Sequence, residues 1–583
     1  MKILEDYRQL VEYLRCVSQL GSSTTPNLEL SFYLSEQFFL DNYKYPVNFQ
    51  RNQVRILRNL ANILFLNPAV TLKQTNILIQ MSSYPAKIIK APNGLEIKQP
   101  LGLFINNEWV KTEKTLDAIN PSTEEVIASV YAADKEAVDK AVDAAQRAFE
   151  DPSWSDISGS DRATYLYKMS EIIRRDSKII AAIESLDNGK PYEAESLCGD
   201  LVEAADIFKY YAGWADKHTG QFLGSQVFGK DKICYVDPVP LGVVAGIVPW
   251  NFPFNMMAWK IAPALATGNT LVMKSSEITP LSALFYGNIA LEAGIPKGVL
   301  NIISGYGKDT GYALSSHPNV AKIAFTGSTA TGKKIMEAAG QSNIKKVSLE
   351  CGGKSPFIIF QDCNMKACLE WAYTGIFYNK GEVCTSTSRF FVQDSIYDEF
   401  VSKFVEYTKT HAIVKPPFEK DCTIGPLVSS AQYQKVKKYV DLGIKEGAKL
   451  LSGKFLEGKG YFCEPFIFAN CTDDMTIMKD EIFGPVVAIS KFSTIDDVVK
   501  RANSTTYGLA AAIFTNNITK AHKVAKKLQA GMVWINSNGD SDIHVPFGGE
   551  KMSGIGRELG SYALDLFTQQ RAVFVNLDLP EEQ

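Results

Sequence analysis

Several things are missing from this 583-residue chain, and each absence removes a class of function. None of its ten cysteines stands in a C-x-x-C pair, and its five scattered histidines include no H-E-x-x-H. A zinc site or a disulfide framework is therefore not expected, and no metal ligand is assigned. No uninterrupted apolar run reaches the ~18 residues of a membrane helix, so no membrane span is expected. An excess of one charge is also absent. The 61 Lys and Arg face 64 Asp and Glu, for a net charge of −3. Such a balance offers no global attraction to nucleic acid or to an acidic membrane. The interleaving of aromatic and basic residues that marks a single-strand binder is missing too. Unpaired thiols in a chain this long point to a reducing compartment. The cytoplasm is the expected location and the mitochondrion the alternative.

What is present begins with size. At this length one hydrophobic core stops growing, so two or more domains are expected. Residues 1–80 differ from the rest: from Asn42 to Leu95 there is no acid but seven Lys or Arg. Val54, Leu57, Ala61 and Leu64 recur there at helical spacing. An acid-poor, Arg-bearing amphipathic segment suits an organelle presequence, yet it lies behind an acidic start. The stretch reads as a partly disordered extension, or as a start assigned too early, with Met81 the later candidate.

From about residue 100, strands alternate with helices. Val243–Val248, Thr270–Met273, Val299–Ile303, Ala321–Phe325 and Pro356–Phe360 are apolar runs of the kind buried on both faces of a sheet. Helical patterns at Ser282–Ala293, Gly307–Ser316 and Gly332–Gly340 separate them. Another, at 134–149, puts Val138, Ala141, Val142 and Ala145 on one face. The alternation predicts an α/β fold with parallel sheets.

Four segments could carry chemistry. Phe325–Gly332 follows a strand and opens a helix, where glycines and free N–H groups can cradle a phosphate. Its G-x-x-x-x-G spacing is not the G-x-G-x-x-G fingerprint. Lys274 and Glu277 follow a strand end, where an acid can bind ribose hydroxyls and repel the extra phosphate of NADP. Glu350 stands before Gly352 and Gly353, a setting that can desolvate a carboxylate into a general base. Cys384 lies in a small, polar, glycine-flanked loop, the surroundings of a reactive thiol. Each segment alone also fits an ordinary loop.

Together they fit one pattern. Ile247–Pro253 (IVPWNFP), Glu350–Lys354 (ECGGK), Gly381–Cys384 (GEVC), Glu481–Pro485 (EIFGP) and Pro546–Gly549 with Ser553–Gly556 resemble the aldehyde dehydrogenase superfamily, tetrameric NAD(P)-dependent branch, in order and spacing. Glu350 precedes Cys384 by 34 positions, and Asn251 precedes Glu350 by 99. The resemblance runs from about Gly94 to Leu577.

It implies an aldehyde dehydrogenase-like fold. A Rossmann-type parallel-sheet cofactor domain would comprise about 95–220 and 241–352, and an α/β catalytic domain about 353–555. A β oligomerisation arm would comprise 221–240 and 568–583. The implied reaction is NAD(P)-dependent oxidation of an aldehyde to a carboxylic acid through a thiohemiacetal and thioester on Cys384. Glu350 would activate the hydrolytic water, and the Asn251 amide with the Cys384 N–H would form the oxyanion hole. Ile247, Trp250, Lys274 and Glu277 match the adenine-ribose contacts. Gly307, Gly327 and Ser328 match the adenine-pocket and pyrophosphate positions, and Glu481 and Phe483 the nicotinamide side. NAD is the expected cofactor, with NADP possible, and the expected partners are an aldehyde substrate and a second copy of the chain in a dimer or tetramer.

Departures from the pattern are Cys351 in place of a common Leu, Glu382 where Gln is frequent, Thr385 after the nucleophile, and Glu550 in place of an aromatic residue. None touches the implied trio. A CoA-acylating enzyme and a catalytically silent scaffold of the same fold are the alternatives. The presence of Glu350, which CoA acylation does not need, speaks against the first, and the intact trio against the second.

Overall fold

The computed structural model describes residues 84–578. The expected extension over 1–80, the candidate start at Met81 and the last five residues of the expected arm lie outside the described residues.

The predicted apolar runs are strands, displaced from their predicted limits by a residue or so. Val243–Ile247, Thr270–Lys274, Leu300–Ile303, Lys322–Thr326 and Lys346–Glu350 pair in parallel, and all but the last are buried throughout. They form the centre of an eight-stranded sheet. From Val243–Ile247 the chain winds one way through Thr270–Lys274 to Leu300–Ile303. It then returns to the other side for Lys322–Thr326 and Lys346–Glu350. That reversal opens a crevice at the carboxyl ends of Val243–Ile247 and Lys322–Thr326, where ligands of doubly wound sheets bind. Leu103–Ile105 and Glu108–Val110 form a hairpin on this sheet, turned by Asn106 and Asn107 at φ 55° and 61°. Gly554–Ile555 pairs with Lys346–Glu350 and closes the opposite edge, although it lies within the segment assigned from sequence to the catalytic domain.

A second, seven-stranded sheet is built from later residues. Phe466–Ala469, Val486–Phe492, Arg389–Gln393, Pro356–Ile359, Ala510–Phe514 and Met532–Ile535 run parallel in that order, with Lys449–Ser452 antiparallel at one edge. A third sheet pairs Thr568–Asn576 with Lys232–Pro240 along their whole length, and Gln221–Leu223 adds to it. These are the residues expected to form a β-arm.

Helices steer the chain toward the crevice. The helix Gly159–Asn188 starts in a capping box between Ser158 and Asp161 and delivers Asn188 and Lys190. A wide π-helical turn, Tyr192–Asp200, leads into the helix Leu201–Trp214. Pro253, preset for the first helical turn, opens the fully buried helix Pro253–Ala266 two residues after Asn251.

Candidate active site

Cys384 lies in the loop between the helix Met365–Phe377 and the strand Arg389–Gln393. Asn379 and Lys380 take left-handed backbone angles, φ 44° and 58°, and Gly381 follows at φ 70°. A Cβ on Gly381 would run into the Gly484 carbonyl, so this sharp bend requires glycine. Burial pushes the Cys384 thiol well above the ordinary range, and the neighbouring Glu350 and Glu481 push it further.

Glu350 ends its strand and faces that thiol. It is buried, and among the described residues its Oε1 has no hydrogen-bond partner. Burial holds its carboxyl well above the carboxylate range. Glu558 adds to the shift, and Lys260 opposes it. Lys260 is itself fully buried. It donates to Glu558 Oε1 at 2.6 Å and to Thr326 Oγ1 at 2.7 Å.

Asn251 is tied into a closed ring of buried groups. Its Nδ2 donates to the Glu382 carbonyl at 2.9 Å, and its own carbonyl accepts from Asn379 Nδ2 at 3.0 Å. An amide nitrogen has two hydrogens, so one stays available to the cavity. Lys380 Nζ donates to Asn188 Oδ1 at 2.9 Å and lies 3.2 Å from Glu382 Oε2. Asn188 Nδ2 donates to the Trp250 carbonyl at 2.8 Å. Glu382 Oε1 accepts from the Val428 N–H at 3.1 Å, and burial pushes its pKa up to about 7 against the pull of Lys380. The segment bearing Asn251 and the loop bearing Cys384 are thereby fixed to each other.

One cavity of about 430 Å³ joins these groups. Cys384, Glu350, Asn251, Trp250, Gly327, Ser328, Glu481 and Phe483 all line it. Glu481 Oε1 accepts from the Gly353 N–H at 3.0 Å, and the Phe483 ring stands edge-on to Trp250 at 5.1 Å. The remaining four predicted residues are outside this cavity, gathered along the same row of strand ends. Ile247 is paired with Lys274 across the sheet. Lys274 Nζ lies 3.4 Å from Glu277 Oε2, and a Cβ on Gly307 would come within 3.8 Å of Glu277 Oε1.

This arrangement suits an extended dinucleotide. Ser328 caps the 14-residue helix Thr329–Ser342, whose N-terminus opens at the reversal point of the sheet. A side chain on Gly327 would collide with the Phe325 ring and fill the approach to that helix. Lys274 and Glu277 offer a cation and an acid to ribose hydroxyls, and Trp250 and Phe483 wall the inner end.

Sequence reasoning missed Lys260, Glu558, Asn188 and the part played by Lys380. Lys260 and Glu558 are 298 positions apart, so no local pattern could link them. The departure at Glu382 was the one visible sign of the buried ring. Among the described residues no cluster of His, Cys, Asp and Glu could hold a metal ion, and no helix is long and apolar enough to cross a membrane.

A doubly wound sheet with a thiol and a buried carboxyl at the inner end of its crevice has the layout of an α/β enzyme. Residues 109–573 match the model of the aldehyde dehydrogenase family. The chain is 47% identical over 494 residues to the NAD(P)+ aldehyde dehydrogenase 1 of Saccharomyces cerevisiae, covering 83% of this chain and 97% of that protein. It is 47% identical over 501 residues to the mitochondrial aldehyde dehydrogenase of Rattus norvegicus, covering 85% and 96%. The NAD+ complex of the Bacillus cereus aldehyde dehydrogenase superposes with a TM-score of 0.80 at 44% identity, over 82% of this chain and 97% of that one. The chain belongs to the aldehyde dehydrogenase family, and its reaction is the oxidation of an aldehyde.

Proposed function

We propose that Cys384, Glu350 and Asn251 carry this oxidation, with NAD(P) as cofactor. The observation that carries the assignment is their convergence on one cavity at the inner end of a dinucleotide-shaped crevice. The Cys384 thiol gives its proton to solvent water and attacks the aldehyde carbon as the thiolate. The carbonyl oxygen becomes an oxyanion held by the free Asn251 N–H and the Cys384 backbone N–H. When bound, the nicotinamide supplies the hydride acceptor at the Glu481 and Phe483 end of the cavity. Loss of hydride leaves a thioester on Cys384. Glu350 then takes a proton from water, the hydroxide attacks the thioester, and the acid departs as the thiolate re-forms. Burial raises the pKa of Glu350, which makes its carboxylate a stronger base toward that water; Glu558 adds to the shift and Lys260 opposes it.

Ile247, Lys274, Glu277 and Gly307 serve the adenine-ribose end, Gly327 and Ser328 the pyrophosphate. The Glu277 carboxylate supports a preference for NAD over NADP through repulsion of the extra phosphate. The cofactor domain is taken as about 95–220 and 241–352, the catalytic domain as about 353–555. A homo-oligomer, dimer or tetramer, is supported by the three-stranded sheet, whose short strand Gln221–Leu223 carries Phe222 at 68% exposure. The nine free cysteines among the described residues support a reducing compartment, the cytoplasm or, as the alternative, the mitochondrion. Replacing Cys384 by Ser tests the central assignment: aldehyde oxidation falls below detection while cofactor still binds. Retained activity in Cys384→Ser would refute it.

A further inference from the structure

Two cysteines that the reaction does not use meet at the start of the helix that leads to the nucleophile loop. In the helix Met365–Phe377, Asn364 is the N-cap, and its side chain accepts from the Ala367 N–H at 3.3 Å. Cys363 stands just before the cap, and Cys368 is the fourth residue of the helix. Side chains at these two positions fold onto each other over the first turn, where a helix often sets a hydrophobic pair. Here both are thiols, and the Cys368 S–H donates to the Cys363 sulfur. The backbone holds both in place. The Cys363 N–H donates to the Phe360 carbonyl at 3.0 Å, and the Cys368 N–H to the Asn364 carbonyl at 2.9 Å.

The two thiols are unequal. Cys368 is fully buried in the cluster that contains Phe390, Phe400 and Phe404, and burial pushes its thiol well above the ordinary range. Cys363 is half-buried at the edge of that cluster. The hydrogen bond from Cys368 holds its thiol below the ordinary range, against burial. Two acids act on it, and each has a cation of its own: Asp362 lies 3.0 Å from Lys520, and Glu399 lies 2.6 Å from Lys403. One thiol that reaches solvent and ionises, with a second held behind it, is the composition of a pair that oxidises to a disulfide. Cys384 lies past the other end of this 13-residue helix, a rod of about 20 Å, so the pair is separate from the active site.

We propose that Cys363 and Cys368 are a modification site, a dithiol that a peroxide oxidises to a reversible disulfide. The Cys363 thiolate attacks one peroxide oxygen, the O–O bond breaks, and hydroxide leaves and takes up the proton that the thiol had released. Cys363 is then a sulfenic acid. The Cys368 sulfur attacks the Cys363 sulfur, the S–O bond breaks, and hydroxide departs as water with the Cys368 proton. The two thiols lose two electrons, and hydrogen peroxide gains them as two waters. A transient bond of this kind suits a reducing compartment, where other thiols restore the pair. The site does not depend on the role given to Cys384.

Trypsin separates the two cysteines, which makes the bond directly readable. Cys363 falls in residues 355–366, Cys368 in 367–380 and Cys384 in 381–389. The full-length enzyme is treated with hydrogen peroxide in small molar excess, its remaining thiols are alkylated, and the digest is read by mass spectrometry. Peptides 355–366 and 367–380 should appear joined, at the sum of their masses less two hydrogens, and should separate again after dithiothreitol. The joined form should appear before oxidation of Cys198, the more exposed thiol. Cys363→Ser should abolish the joined form and leave Cys368 reduced. Cys368→Ala should stop the reaction at a Cys363 sulfenic acid, which dimedone traps. If the two peptides stay separate while Cys198 is oxidised, the proposal is overturned. It is overturned too if Cys363 of the wild type passes to sulfinic acid or bonds to another cysteine. The wild-type digest decides by itself if a variant does not fold.

Discussion

Two buried glutamates flank Cys384, and the contrast between them shows what turns a carboxyl group into a reagent. Glu350 and Glu382 are both buried, both have a lysine nearby, and both are pushed upward in pKa by desolvation. Their partners differ. Glu382 is 3.2 Å from Lys380 and accepts the Val428 N–H, and its carbonyl holds Asn251. Glu350 keeps an oxygen with no protein partner on the wall of the cavity, and its lysine, Lys260, is bonded to Glu558 and Thr326 instead. A carboxyl held by an ion pair and a backbone N–H fixes geometry. One whose oxygen is left open can take a proton from a water.

The sharpest way to break this comparison is to remove the charge from each. Glu350→Gln should slow steady-state turnover by about 10²–10⁴-fold, the range for loss of a general base. A first burst of reduced cofactor should remain, because hydride loss precedes hydrolysis; rapid mixing with fluorescence detection reads both. A normal steady-state rate would place the base elsewhere. Glu382→Gln keeps an acceptor for Val428 but loses the ion pair with Lys380. The expected loss is in kcat, about tenfold, from misplacement of the oxyanion amide, with KM little changed. A loss as large as that of Glu350→Gln would erase the distinction between the two groups.

The smallest effect concerns stability. The Glu382 carboxyl has a folded pKa of about 7 against an ordinary value of 4.5. A raised folded pKa means that the fold favours the protonated form. Its contribution is fully present below the ordinary value and is lost as pH rises through about 7. Thermal unfolding should therefore show the wild type losing more stability than Glu382→Gln between pH 5 and pH 8, where about one such group titrates. Parallel stability curves for the two proteins would show that Glu382 is not desolvated as the geometry requires.

Much of this was legible in one dimension. The strands of the first sheet are continuous apolar runs because both of their faces are covered, so Val243–Ile247 and Thr270–Lys274 stand out without any partner in view. Asn251, Glu350 and Cys384 each lie in a short motif that alone also fits an ordinary loop; the order and spacing of the motifs together make them stand out. The hairpin at Asn106 and Asn107 was only half visible, because three-residue strands are too short to show alternation. The helix Gly307–Ser316 opens with a π-helical turn that leaves no mark in hydrophobic spacing. The edge strand Gly554–Ile555, two residues long, is placed on the first sheet by pairing alone.

The sequence by itself pointed to the class of fold, the kind of cofactor, and the proposed nucleophile with its proposed partners, because these reside in short motifs and in periodic burial. Only the tertiary structure decided which charges meet: Lys260 with Glu558, and Lys380 with Glu382. The physical reason is range. Backbone geometry and hydrophobic pattern act between neighbours in the chain, whereas desolvation and charge pairing depend on neighbours in space.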